Sequence, residues 1–329
     1  MSTASPVCAV AIPARDEAAL IGRLLTSLTR QTVDPSSIAV VVIANNCTDD
    51  TADMARSSRW PMQMTVIEAQ FGAAEAHAGS ARRLAVDHAA SRSDIVLTTD
   101  ADCVADDDWV ASMIAAFADG ADAVAGRVSG DWDELRHHSA AALNIGALEW
   151  DYLGLLGEAE AAFDPRPHDP APRHAQRCGA NIGITRQMLA KVGGVPGLPT
   201  GEDRALLHAV EQIDGKLRHD PRPHVTASAR VAGRATGGMA DALAHRLSVD
   251  YMCDEQFERA EPLVARLRAR HTARQRWIDQ SGGLRGHFGQ TWSAYLATQP
   301  DLQPRRITPV QLAGELAILR RLLTEARDA

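Results

Sequence analysis

Ile95–Asp102, IVLTTDAD, sends an apolar strand directly into two aspartates. A continuous β-branched run of this kind suits a strand covered on both faces. In open α/β sheets the ends of such strands form the crevice where ligands bind. Asp100 and Asp102 offer hard carboxylate oxygens there, the chemistry that selects Mg2+ or Mn2+ and lets the cation bridge phosphate oxygens. The same two acids can also simply end the strand and lead into the next helix. Asp106–Asp108, followed by Trp109, Val110, Met113, Ile114 and Phe117, predict that helix.

Working outward, Val7–Ile12, Ile38–Ala44 and Met64–Glu68 read as strands upstream, and Asp122–Val128 as one downstream. Helical patterns over Leu20–Leu28, Thr51–Ser57 and Ser80–Ala90 separate them. This alternation predicts an α/β fold with a Rossmann-like, mostly parallel sheet flanked by helices. Further on, Glu134–Leu156 predicts a helix, and Ala162–Arg177, with four prolines, a loop. Short mixed elements occupy Cys178–Thr236. After Asp241 the pattern is helical, ending in an amphipathic helix marked by Leu312, Leu316, Leu319 and Leu323.

The 329 residues carry a net charge of −8, which argues against binding nucleic acid through its backbone. Five cysteines form no CxxC pair, so a reducing compartment fits best. No segment approaches the roughly 20 apolar residues of a membrane span, and the opening MSTASP has no signal-peptide pattern. The expected location is therefore cytoplasmic, at most peripheral to the inner face of a membrane. Arg259–Arg276 is locally basic and reads either as a solvated helix face or as attraction to an anionic lipid surface. The loop PARDEAAL after the first strand has no glycine before Gly22, against both a dinucleotide oxidoreductase and a nucleotidyltransferase.

Four segments then occur in a telling order. Ala11-Ile12-Pro13-Ala14-Arg15-Asp16-Glu17 follows the first strand and Ala44-Asn45-Asn46-Cys47-Thr48-Asp49-Asp50-Thr51 the second. Gly79-Ser80-Ala81-Arg82-Arg83 and Asp100-Ala101-Asp102 complete the set. Together they resemble a nucleotide-sugar-dependent family 2 glycosyltransferase of the GT-A fold across residues 7–128. A looser similarity runs through Cys178-Gly179-Ala180-Asn181 and Gly201-Glu202-Asp203 to about residue 237.

The resemblance implies a GT-A domain over 6–237, with a nucleotide-sugar half at about 6–128 and an acceptor half at about 129–237, and a helical appendage over 238–329. It implies that Pro13, Ala14, Glu17, Asn45, Arg82, Asp100 and Ala101 bind the nucleotide-sugar. Asn45 stands where the family usually has a base-reading aspartate, which leaves the nucleobase open; UDP is preferred to GDP by family habit alone. Asp102 and Asp100 would ligate Mn2+ or Mg2+, with His224, or else His219, as a third ligand. Asp203 would be the general base, with Glu202 orienting the acceptor. Arg230 and Arg234 either close over phosphate or belong to a surface turn. The implied reaction moves a sugar from a UDP- or GDP-sugar to an acceptor hydroxyl, with inversion favoured; the alternative is a retaining GT-A transferase acting on a small metabolite. A non-catalytic sugar-nucleotide-binding protein is the rival. The acceptor is unread, and the C-terminal helices leave dimerisation, an acceptor cover and membrane contact open.

Overall fold

A computed structural model describes residues 5–57, 59–137, 139–230, 252–280 and 286–328. These gather into two compact units. The first takes the described residues of Met1–Leu135, Gln176–Val210 and Gly215–Asp241, and the second those of Arg136–Ala175, Glu211–Asp214 and Ala242–Ala329. Arg234 and the expected boundary after residue 237 lie outside the described residues.

In the first unit eight strands form one sheet in the order β3-β2-β1-β4-β7-β6-β8-β5. They are β1 (Cys8–Ala14), β2 (Ile38–Asn45), β3 (Gln63–Ala69), β4 (Ile95–Thr98), β5 (Cys103–Ala105), β6 (Ala123–Gly130), β7 (Ile182–Thr185) and β8 (Leu217–Ala227). The β3-β2-β1-β4 half is parallel, as the alternation predicts, and β6 pairs β8 in parallel too. The pairs β4-β7, β6-β7 and β5-β8 run antiparallel. β1 and β2 are almost wholly buried, as their unbroken apolar runs require.

Helices α1 (Ile21–Thr29), α2 (Thr51–Arg56), α3 (Ala78–Ala90) and α4 (Trp109–Ala118) flank this sheet. On α1, Ile21, Leu24, Leu25 and Leu28 recur every three or four residues, so one face is buried. α3 lies against β1, β2 and β4. After the short α5 (Trp132–Leu135), helices α7 (Arg186–Val192) and α8 (Glu202–Gln212) follow in the C-terminal part of the sheet region. β8 carries Pro221 and Pro223, which read as a strand breaker. The fold accommodates them in a register shift, with Gly126 opposite Asp220 and Arg127 opposite His224.

Asn181 locks this reversal of direction. Its Oδ1 accepts the Trp109 indole N–H at 2.8 Å, and its Nδ2 donates to the Arg127 and Pro223 carbonyls at 2.8 and 3.0 Å. Only a glycine fits opposite, since a Cβ on Gly126 would lie 2.4 Å from the Asn181 amide.

The second unit packs α6 (Ala140–Phe163), α9 (Ala260–Gln280), α10 (Phe288–Ala297) and α11 (Pro309–Arg327). Its core includes Tyr152, Leu156, Leu263, Leu267, Leu312, Leu316, Leu319 and Leu323. α6 starts at the Ser139 cap, later than the sequence pattern suggests, and runs to Phe163. The basic stretch on α9 meets acids of its own unit: Arg270 and Arg274 pair with the fully buried Asp164, and Arg266 pairs with Glu258. Arg268 lies over the Phe163 ring. No described helix is long and apolar enough to cross a membrane.

Replacing Asn181 by leucine keeps the volume but orphans one buried donor and two carbonyls. Urea unfolding of Asn181→Leu should show a loss of at least about 2 kcal/mol; a loss below about 0.5 kcal/mol, within the usual range for surface changes, would contradict the pinning role.

Candidate active site

The loops after β1 and β2 are tied into one surface. The Glu17 N–H donates to Thr51 Oγ1 at 2.8 Å, the Ala18 N–H to Asp49 Oδ2 at 3.0 Å, and the Thr48 N–H to Asp16 Oδ1 at 2.7 Å. Asp16 and Asn46 take left-handed backbone angles, φ 52° and 48°, to make these turns. Asp16, Cys47 and Asp49 bring ligand atoms within 4.8 Å of one another, but these aspartates already hold the cross-loop N–H groups. Pro13 is half-buried, and the Ala14 side chain belongs to the core, as does that of Ala101. Any contact Ala14 or Ala101 makes with a ligand therefore comes from its backbone. Asn45 is buried; its Nδ2 donates to the His77 carbonyl at 3.4 Å, and its Oδ1 has no hydrogen-bond partner among the described residues.

Arg82 is the best-connected side chain of the region. His77 caps α3 by accepting the Ser80 N–H, and Gly79 lets the helix pass the Leu198 carbonyl, which a Cβ would meet at 2.0 Å. One turn on, the Arg82 Nε donates to Glu202 Oε1 at 2.9 Å. Its Nη1 donates to Thr98 Oγ1 at 3.0 Å and the Gly179 carbonyl at 2.9 Å, and its Nη2 to Asp100 Oδ1 at 2.7 Å. The guanidinium is buried, which by itself disfavours its charge, but Asp100 and Glu202 more than offset this and hold it protonated. A Cβ on Gly179 would sit 2.7 Å from this guanidinium. Arg82 is thus an internal brace between Asp100 and Glu202.

Asp100 and Asp102 stand on the turn after β4. Burial, with the Asp100 charge beside it, pushes the Asp102 carboxyl up to about 7, although Arg230 pulls it down. Arg230 pairs with Asp102 at 3.2 Å and with Glu17 through both oxygens, Nη1 donating to Oε2 at 2.8 Å. Crowded carboxylates of this kind, held by a guanidinium, suit a hard divalent cation. Beneath them the Cys178 thiol, pushed up to about 12 by burial and by the neighbouring Asp100 and Asp203, stays neutral.

His224 is placed elsewhere: its Nδ1 lies 2.9 Å from Asp106 Oδ2 and its Nε2 2.9 Å from Ser129 Oγ. Among the described residues, it forms no three-ligand cluster with Asp100 and Asp102. His219 is buried on β8.

Glu202 and Asp203 open α8. Glu202 is buried and spends an oxygen on Arg82, whereas Asp203 is half-buried and its Oδ2 accepts the Gly179 N–H at 2.6 Å. Gly179 therefore bonds Arg82 through its carbonyl and Asp203 through its N–H. Ion pairs and this one residue join Glu17, Asp102, Arg230, Asp100, Arg82, Glu202 and Asp203 into two adjoining groups. Thr98 and the bracing role of Gly179 were not foreseeable from the motifs.

The sequence profile of glycosyl transferase family 2 matches residues 9–181, over half of the chain. The chain belongs to glycosyl transferase family 2. Among solved structures, the transferase is similar to S. aureus TarS 1–349 in complex with UDP-GlcNAc, at 16% identity and TM-score 0.51, over 97% of this chain and 87% of that one. A mannosyltransferase of Pyrobaculum calidifontis, PcManGT, in complex with GDP-Man and Mn2+, aligns at 18% identity and TM-score 0.49, over 98% of this chain and 76% of that one. No curated protein sequence matches the transferase. Its sheet with flanking helices is the GT-A fold.

The raised Asp102 carboxyl has a sign that can be checked. Between about pH 4 and 7 the cation-free fold binds a proton there that the unfolded chain releases, so this contribution is full below the ordinary carboxylate value of 3.8 and is lost as pH rises through 7. Melting without divalent ions should show a downward Tm component from pH 5 to 8 that Asp102→Asn removes. An identical pH profile for the two proteins would contradict the assignment.

Proposed function

We propose that this glycosyltransferase moves a sugar from a nucleoside-diphosphate sugar to an acceptor hydroxyl, with a divalent cation, Mn2+ or Mg2+, at Asp100 and Asp102. The catalytic domain would span 6–237, with 238–329 as a helical appendage. The observation that carries the reading is the Asp100–Arg82–Glu202 bridge. It sets the helix bearing Asp203 one guanidinium away from the paired aspartates at the sheet's crevice.

In this reading Glu17 and Asn45 face the nucleoside side, where the buried Asn45 Oδ1 lacks a partner among the described residues. The bound cation supplies electrostatic stabilisation of the charge that develops on the departing diphosphate. Asp102 and Asp100 hold it through oxygen, and the geometry gives no support to His224 as a third ligand. Arg82 fixes Asp100 and Glu202 so that their carboxylates need not reorganise.

Asp203 takes the acceptor proton. Its Oδ2 is oriented by the Gly179 N–H, and it is more open than Glu202, whose oxygen is committed to Arg82. As the acceptor oxygen attacks the anomeric carbon, the bond to the diphosphate oxygen breaks and the proton passes to the Asp203 carboxylate. Displacement from the opposite face inverts the centre, by analogy with inverting glycosidases. The acceptor hydroxyl belongs to a molecule of unassigned class.

Asp203→Asn separates binding from turnover. Thermal shifts with UDP- and GDP-sugars in Mn2+ should match those of the parent, while turnover falls about 10²–10⁴-fold. Undiminished turnover would remove Asp203 as base, and no shift in the parent with any nucleotide-sugar plus cation would overturn the donor assignment.

A further inference from the structure

The two arginines of the site are held very differently. Arg82 is 5% exposed and has neutral partners as well as its two carboxylates. Arg230, three residues beyond β8, is 25% exposed, and among the described residues its guanidinium pairs with Glu17 and Asp102. Its backbone is anchored just ahead: Glu134 Oε2 accepts from the Ser228 hydroxyl at 2.7 Å and from the Ala229 N–H at 2.6 Å. The root of the side chain is therefore fixed, and its charged end reaches across to the loops after β1 and β4.

That charged end lies where the proposed reaction needs something else. Glu17 is the acid expected on the nucleoside side, and Asp102 the acid expected on the cation. One guanidinium now engages both, with Asp102 Oδ2 at 3.2 Å. Four carboxylates, Glu17, Asp100, Asp102 and Glu202, face two guanidiniums here. A cation on the Asp102 carboxylate would stand within a few ångströms of the Arg230 guanidinium, where like charges repel strongly in a half-buried site.

We infer that Arg230 is a built-in counter-ion of this site: it neutralises Glu17 and Asp102 while no donor is bound, and it competes with the divalent cation for Asp102. The inference rests on the proposed cation site at Asp100 and Asp102. Its consequence is ordered loading. Cation alone must displace the guanidinium and so binds weakly. When nucleotide arrives with the cation, the diphosphate offers Arg230 new anionic oxygens, to which a guanidinium binds well. Cation and nucleotide then bind with positive coupling, because each removes a cost that the other would meet.

The test is Mn2+ binding to the nucleotide-free protein, measured by calorimetry and by the electron-spin-resonance signal of free Mn2+. Arg230→Gln should bind Mn2+ alone at least about 5-fold more tightly than the parent, and the strengthening of Mn2+ binding by UDP should shrink by a similar factor. Its cation-free Tm should fall, and added Mn2+ should raise it more than in the parent. Arg230→Lys keeps the charge and should stay within about twofold of the parent, well under the roughly 5-fold coupling expected for Gln. Equal or weaker Mn2+ binding by Arg230→Gln, with the parent binding measurably, would overturn the competition and leave the cation site standing. A gain shared by Arg230→Lys would overturn it as well, since charge would not be the cause. If neither parent nor variants bound Mn2+, with or without UDP, both the competition and the cation site would fall.

Discussion

The buried guanidinium of Arg82 is the constraint on which the site depends. Taking a charge out of water is costly unless the charge is paired and its remaining donors are satisfied. Here two carboxylates, a hydroxyl and a carbonyl meet that demand, and they come from the end of β4, the turn after it, the segment before β7 and the first turn of α8. No one of these elements can shift without leaving a buried polar group unpaired. The close approach explains why residue 179 is glycine, since even a methyl group would press on the guanidinium.

The sheet's change of direction makes that convergence possible. β7 runs antiparallel to β4 with Ile182 opposite Thr98, so the chain just before β7 returns to the C-terminal end of β4. Gly179 then lies where its carbonyl reaches Arg82 and its N–H reaches Asp203. Asn181, satisfied on all sides by Trp109, Arg127 and Pro223, secures the same turn from beneath. Arg230 completes the charge pattern from the far end of β8. Arg82 is permanent structure, whereas Arg230 is open enough to exchange partners.

Much of this was legible in the sequence, for physical reasons. β1, β2 and the run into Asp100 are unbroken apolar stretches, and a strand covered on both faces leaves that signature. The motifs after β1 and β2 read as separate loops, yet they are interdigitated through Thr51, Asp49 and Asp16. β5 and β7 are only three and four residues long, and β8 contains two prolines absorbed by a register shift, so no periodicity marks them. Local pattern also could not show that Arg82 on α3 meets a glutamate 120 residues away. The engagement of His224 with Asp106 and Ser129 likewise depends on the β6–β8 register, which sequence does not display.

The central claim is that the aspartates after β4 hold the cation that carries the donor diphosphate. Anomalous diffraction at the manganese edge, from crystals grown with MnCl2 and UDP, tests it most directly. The account predicts one strong peak about 2.2 Å from an Asp102 carboxylate oxygen, a distance usual for a hard divalent cation on oxygen, with the diphosphate on the same peak and Arg82 still joining Asp100 to Glu202. A peak at Asp16, Cys47 and Asp49, or nucleotide bound without manganese at Asp102, would contradict it.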